Sequence, residues 1–371
     1  MSATAARPEV LFVLPVLEPA GAERIVAELA RRLPSRGYST AVLCLEDETA
    51  PVGRELSAAR VPVEGLHLSR RRTLACAKAL AARIAERKPR IVHAHLFHAN
   101  IAARLALGRL SAEQRANTVL LSTIHVAERR FRPWQFLFDR ATAAHCRLEL
   151  CVSRAVATFQ QERTGLPASF FRVIENGIDL TRFSPLELPD RMAGRGDVVS
   201  VGRLDPQKDF PTLLHAWKIV EAQLPVARLS IAGAGPEEMH LRGLAQSLQL
   251  ERVEFLGFVA DIPKLLRGAD VYAQPSAWEG FGLAVAEAMA CGLPAVVTDV
   301  DSLPEIVTHE RTGLVVPKGN AKALADALIK LLNDPDYASG LGRAAHAEAT
   351  TRYSVERMVD EYAALYREML A

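Results

Sequence analysis

Short runs of β-branched and aliphatic residues alternate with amphipathic segments along the whole chain, and the alternation runs through twice. Extended runs at 9–14, 40–45, 90–93, 119–124, 148–153 and 172–175 predict strands, with helices between them at about 21–36, 74–87 and 101–107. The first of those helices carries Ile25, Val26, Leu29 and Leu33 on one face. A second series has strands at 198–201, 228–232, 253–255, 271–274 and 295–298, and helices at about 210–222, 237–248, 261–267 and 282–291. The chain ends in helical segments at about 320–333, 338–350 and 355–370. Such alternation dictates mostly parallel sheets with helices on both faces. The expected fold class is α/β, as two doubly wound domains, 1–188 and 189–371. A linker at 184–197, carrying Pro185, Pro189, Gly194 and Gly196, is expected between them. A length of 371 residues agrees with two cores better than with one.

Composition narrows the class. Apolar residues make up 49% and charged residues 24%, as in ordinary soluble domains. The longest early apolar stretch, 10–17, is broken by Pro15 and too short to span a bilayer, and no cleavage site follows it, so no signal peptide is read. The five cysteines are scattered and form no Cys-x-x-Cys. That fits a reduced, cytoplasmic setting and argues against a disulfide framework or a structural zinc site. The net charge of +2 conceals an asymmetry. Residues 1–188 hold 27 basic and 18 acidic side chains, and residues 189–371 hold 18 and 25. A basic half of that size suits an anionic partner, whether membrane surface, phosphorylated substrate or nucleic acid; drift in surface charge would look the same.

In open α/β sheets ligands bind beyond the carboxyl ends of the strands, so residues just after strands matter most. After the strand at 271–274 comes Pro275-Ser276-Ala277-Trp278-Glu279-Gly280-Phe281-Gly282, then the helix Leu283-Ala284-Val285-Ala286-Glu287. The two glycines permit a tight turn, and the unpaired N–H groups opening the helix favour a phosphate or diphosphate. Glu279 precedes the helix and Glu287 lies inside it, about 10 Å apart by helical rise, each able to accept hydrogen bonds from diol hydroxyls. After the strand at 198–201, the turn Gly202-Arg203-Leu204-Asp205-Pro206-Gln207-Lys208 sets two cations where they can neutralise a diphosphate; alone, they would read as solvated surface charges.

These two segments resemble the signature of the family 4 retaining glycosyltransferases. EGFGLAVAE matches the glutamate-seven residues-glutamate pattern, and VGRLDPQK matches the Gly-Arg turn followed by a lysine. Leu303-Pro304-Glu305-Ile306-Val307 and Thr312-Gly313-Leu314-Val315-Val316 are similar to two further family segments. The chain departs from the pattern at Asp209, where the family often has glycine, and at Ser302-Leu303, where it usually has Gly-Gly. The resemblance implies the GT-B fold, two Rossmann-like domains facing across a cleft. The first would bind the acceptor and the second the nucleotide-sugar donor, and the last helix, about 354–371, would pack back on the first. It implies a retaining, metal-independent hexosyltransferase using a UDP- or GDP-linked sugar as co-substrate, with no cofactor. Arg203 and Lys208 would bind the diphosphate and stabilise its departure. Glu287 would hold the ribose. Glu279, with the backbone of Gly280, Phe281, Gly282 and Leu283, would hold the transferred sugar. A hydroxyl acceptor is implied, such as a lipid-linked or cell-surface polysaccharide precursor at the inner face of the membrane.

The first half is similar to the family more loosely. Gly21-Ala22-Glu23-Arg24 opens the first helix and is similar to a family loop, with Ala20 in place of that loop's first glycine, which implies donor contact at Gly21 and acceptor contact at Glu23 and Arg24; Glu23 also suits the helix dipole. His93-Ala94-His95, followed by His98, resembles a family stretch that implies acceptor contacts for His95 and His98; no metal is assigned to it, since no carboxylate or cysteine lies nearby in sequence. His125 ends a strand where the family often has a histidine that touches the transferred sugar; a lone histidine satisfied by its local backbone is as common. Arg129, Arg130 and Arg132 among Phe131, Trp134, Phe136 and Phe138, with the Arg70-Arg71-Arg72 cluster, suit an anionic membrane interface, or else a helix with its aromatics inward. Competing functions are a nucleotide-sugar epimerase of the same fold, a non-catalytic two-domain sugar-binding protein, and nucleic-acid binding. The last has no recognisable module, so no nucleic-acid partner is expected.

Overall fold

The computed structural model describes residues 8–185 and 196–371, so most of the expected linker, including Pro189 and Gly194, lies outside the described residues. The chain divides into two compact units, Met1–Gly177 with Val355–Ala371, and Ile178–Ser354.

The first unit holds seven parallel strands: β1 (Val10–Leu14), β2 (Thr40–Cys44), β3 (Val63–Gly65), β4 (Ile91–His95), β5 (Val119–Ile124), β6 (Leu148–Cys151) and β7 (Phe171–Val173). Their order is β3-β2-β1-β4-β5-β6-β7, which reverses direction between β1 and β4. Every residue of β1, β2 and β4 is buried, so both faces of the sheet are covered, as an unbroken apolar strand requires. The helix Val355–Leu370 belongs to this unit. Its Arg357 donates to the carbonyl of Glu175 at 2.7 Å, and its Glu368 receives a two-armed hydrogen bond from Arg172 at 2.6 and 2.9 Å. Behind the sheet, fully buried Arg104 bonds Asp139 and Glu149 at once and ties the helix Phe97–Leu107 to the helix Pro133–Thr142 and to β6.

The second unit repeats the plan with β8 (Asp197–Val201), β9 (Arg228–Ala232), β10 (Val253–Gly257), β11 (Val271–Gln274), β12 (Ala295–Thr298) and β13 (Gly313–Val316), all parallel, in the order β10-β9-β8-β11-β12-β13. Its core gathers around fully buried Trp217, with Phe210, Leu213 and Leu229. Each unit thus has the doubly wound order in which ligands bind at the reversal point, here β1/β4 and β8/β11.

Most expected strands fall within a residue or two of the observed ones. The helix expected at 21–36 stops being α-helical at Arg32 and tightens into a 3-10 turn over Leu33–Arg36, because Pro34 has no N–H to continue the ladder. The helix Arg154–Thr164 was not expected. Ser153 caps its start, Gly165 in the left-handed region ends it, and its buried face is Val156, Gln160 and Thr164, too polar for an apolar period to show. Among the described residues no helix is long and apolar enough to cross a membrane. All five cysteines are buried, and none forms a disulfide.

Candidate active site

In the second unit the reversal point brings together the turns after β8 and β11. The carbonyl of Gln207 accepts from the N–H of Ala277 at 2.8 Å and fastens one turn to the other. Lys208 Nζ then lies 2.5 Å from Glu279 Oε2, both side chains largely buried. The same carboxylate accepts from Ser276 Oγ at 3.1 Å and lies 3.5 Å from Gln207 Nε2, and the N–H of Gly280 donates to it at 3.3 Å. Behind Ser276 the chain of bonds continues through Gln274, at 2.8 Å, to the phenol of Tyr272, which donates to Gln274 at 2.6 Å. Burial raises the Tyr272 phenol well above its ordinary range, with the charges of Glu287 and Glu279 adding to the effect. Low dielectric strengthens such a chain and makes any broken link costly. Arg203 stands apart, 72% exposed and 3.9 Å from Asp205, so its guanidinium is accessible to a ligand.

The helix Leu283–Ala290 opens at Gly282, whose φ of +92° is a left-handed conformation, and a Cβ there would sit 2.9 Å from Leu303. Phe281 is buried edge-on against Tyr353, Leu283 is half-buried, and half-buried Glu287 lies one turn further along. Both departures from the family pattern in the second unit have physical substitutes. Asp209 adopts the left-handed φ of 48° that glycine would take most easily, and accepts from Thr212 Oγ1 at 2.8 Å. Where Gly-Gly is usual, Ser302 Oγ donates to the carbonyl of Phe281 at 3.0 Å, and the neighbouring Asp301, also left-handed, accepts from the N–H of Glu279 at 3.0 Å. These side chains clamp the loop from Glu279 to Phe281. Ser276, Gln274, Asp301 and the loop after β9 went unread in the sequence. In that loop Gly233, at φ +142°, lies so close to Gly202 that a Cβ would meet its carbonyl oxygen at 1.9 Å. A Gly-x-Gly directly after a strand was the available signal.

In the first unit a cavity of about 640 Å³ opens at the carboxyl ends of β1, β4 and β5. Its wall includes His98, His125, Arg70, Arg71, Arg130 and Phe131. The His98 ring is held below its ordinary range by burial and by Arg70 and Arg71. Burial holds His125 down to about 4. Gly21, Glu23 and Arg24 are not part of this wall. Gly21 and Arg24 are exposed, while Glu23 is buried and its carboxyl is pushed up to about 7, chiefly by desolvation. His95, expected as an acceptor contact, is fully buried one layer behind His125, with its Nδ1 at 3.0 Å from His125 Nε2. Both nitrogens of His93 are engaged, Nδ1 with Tyr366 and Nε2 with Thr123, each at 2.7 Å, so the His93 ring is spent on internal bonds.

Two family models match the chain. Glycosyltransferase Family 4 covers residues 19–182, and Glycosyl transferases group 1 covers residues 191–348. A phosphatidyl-myo-inositol mannosyltransferase of Mycobacterium leprae is 34% identical over 68% of this chain, and the match spans 65% of that relative's length. A protein of the same description from Mycolicibacterium smegmatis is 30% identical over 87% of this chain and 83% of its own length. Among solved structures, HepE of Anabaena in complex with UDP-glucose superposes with a TM-score of 0.85 over 97% of this chain and all of that one; at 24% identity this likeness speaks for the fold alone, which is GT-B. Together with the glutamate pair and the Lys208 turn at the second reversal point, these matches establish that the chain belongs to the family 4 glycosyltransferases.

Proposed function

We propose that the protein transfers a sugar from a nucleoside-diphosphate sugar to a hydroxyl acceptor, with retention of anomeric configuration and without a metal ion. The observation that carries this reading is the Lys208–Glu279 pair beside the N-terminus of the helix Leu283–Ala290. The helix start and Lys208, with exposed Arg203, supply the positive charge a departing diphosphate needs. Glu279 meets the hydroxyls of the transferred sugar, and Glu287 those of the ribose. In the reaction the bond from the anomeric carbon to the phosphate oxygen breaks, the acceptor oxygen bonds that carbon on the same face, and the acceptor proton passes to the departing phosphate. No protein base is required. The donor is UDP- or GDP-linked.

The acceptor takes the cavity of the first unit. Arg70, Arg71 and Arg130 in its wall suit an acceptor that carries a phosphate. The helix Pro133–Thr142 lines it with Phe136 and Asp139 while exposing Trp134 and Leu137, 59% and 67% accessible. Basic side chains in the cavity wall and exposed apolar side chains on the adjoining helix favour an anionic membrane and hence a lipid-linked acceptor at the cytoplasmic face, and cysteines that form no disulfide fit that reducing side. The phosphatidylinositol named for the two mycobacterial relatives is the first acceptor to test.

The experiment supplies UDP- and GDP-sugars with phosphatidylinositol vesicles in EDTA and follows the product by NMR. The expected product keeps the donor's anomeric configuration. An inverted product, a requirement for metal, or an epimerised nucleotide sugar formed without acceptor overturns the reading. Flotation with anionic vesicles is expected to carry the protein upward and to fail for Trp134→Ser with Leu137→Ser; wild-type protein that does not float ends the membrane part.

A further inference from the structure

β4 and β5 lie side by side in register, with His95 opposite Thr123, two residues before His125. The His95 ring is fully buried and packs against His93, tilted by 38° with centroids 4.2 Å apart. Its Nδ1 meets His125 Nε2 at 3.0 Å, and its other nitrogen, Nε2, is buried with no hydrogen-bond partner. Burial disfavours the charged form of both rings, so each is neutral near pH 7 and one proton lies in the bond between them.

Two arrangements share that geometry. If His125 Nε2–H donates, His95 must carry its own proton on Nε2, where a buried N–H faces no acceptor. If His95 Nδ1–H donates, His95 Nε2 is a bare lone pair, and the proton of His125 moves to Nδ1. An orphaned buried N–H is the rarer defect in folded proteins, under-satisfied acceptors being somewhat commoner. His125 Nδ1 has no protein partner among the described residues, and His125 lines the cavity.

We propose that His95 is a positioning residue that holds His125 as its Nδ1–H tautomer, so that His125 offers substrate a neutral hydrogen-bond donor and does not act as a base. The His93 ring, fixed between Tyr366 and Thr123, supports His95 from behind. This choice of tautomer by a neighbour's bond is the usual way a histidine's role is set. The donor role rests on the reading of the cavity as a substrate site; the tautomer does not.

The test is long-range ¹H–¹⁵N correlation NMR on the full chain with ¹⁵N-labelled histidine at pH 7.5, without substrate. The expected spectrum shows His125 protonated at Nδ1. His95→Asn, whose amide N–H can replace the Nδ1 donor, retains that pattern. His95→Phe shifts His125 towards Nε2–H and lowers kcat about tenfold, the scale of one hydrogen bond, with little change in KM for the donor. A wild-type spectrum with the His125 proton on Nε2 overturns the proposal without any variant, as does an unchanged tautomer in His95→Phe. A protein with the expected tautomer and no sugar transfer would retire the catalytic reading and leave the tautomer assignment standing.

Discussion

Lys208 and Glu279 belong to turns after different strands, and a single backbone bond between Gln207 and Ala277 sets their 2.5 Å approach. Removing either charge leaves the other largely buried without its partner; on the proposed reading, loss of Lys208 takes the cation from the departing diphosphate and loss of Glu279 takes the acceptor for the sugar's hydroxyls. Lys208→Ala and Glu279→Ala are each expected to lower kcat for sugar transfer by about 10²- to 10³-fold, the range found when one transition-state donor is lost. Ser276→Ala removes one of several bonds to the same carboxylate and is expected to cost about threefold to tenfold. Steady-state kinetics on the three variants checks that ranking, and a Ser276→Ala loss as deep as that of Lys208→Ala would contradict it. Each member was singled out in the sequence, because each follows a strand within a glycine-bearing turn, but their contact was not. Ser276, Gln274 and Asp301 were not, since their roles depend on neighbours brought in by folding. His95 was misplaced for the same reason. Strand alternation puts His93 and His95 on one face, but the ring that occupies His93 comes from Tyr366, 273 positions away.

At the scale of elements, helix and strand boundaries followed the apolar runs closely wherever those runs were unbroken. They failed where a buried face is polar, as in Arg154–Thr164. The Arg104 cluster is the extreme case. A charged residue within an apolar helix reads as exposed, yet here it is fully buried between Asp139 and Glu149, with Gln160 donating to Asp139 at 2.5 Å. Burial and the Asp139 charge raise the Glu149 carboxyl, while Arg104 opposes them. Arg104→Met leaves Asp139 and Glu149 buried without their cation and is expected to destabilise the first unit by about 3–5 kcal/mol at pH 8. Urea denaturation checks it, and a change under 1 kcal/mol would show the cluster to be dispensable. In the second unit Asp209→Gly relieves a left-handed conformation and is expected to keep activity, whereas Asp209→Val, β-branched at φ 48°, is expected to lower the melting temperature.

Across the whole molecule, acid is expected to act on the first unit through its buried histidines. Burial holds His93 down to about 3, while the unfolded chain titrates near 6.5. Below pH 6.5 the unfolded state therefore binds a proton that the folded state refuses. The His93 contribution is complete above 6.5 and is lost as pH falls towards 3, at up to about 1.4 kcal/mol per pH unit. His93→Gln should flatten the melting temperature's dependence on pH in that window. Glu23 has the opposite sign. Its carboxyl is raised to about 7, so the folded state retains a proton that the unfolded chain releases near 4.5, and stability falls as pH rises between those values. Glu23→Gln is expected to stabilise the protein at pH 8. The basic excess of residues 1–188 suits the phosphate-bearing acceptor proposed for the first unit, and the strand order suits a donor at β8/β11. The proposed role of Lys208 and Glu279 is to serve transfer from a nucleoside-diphosphate sugar. Its most direct test is nucleoside-diphosphate release from UDP- and GDP-sugars, with and without phospholipid acceptor, by wild type and Lys208→Ala. Wild type is expected to show acceptor-dependent release that falls at least about 10²-fold in the variant. Equal release by the two proteins would contradict it.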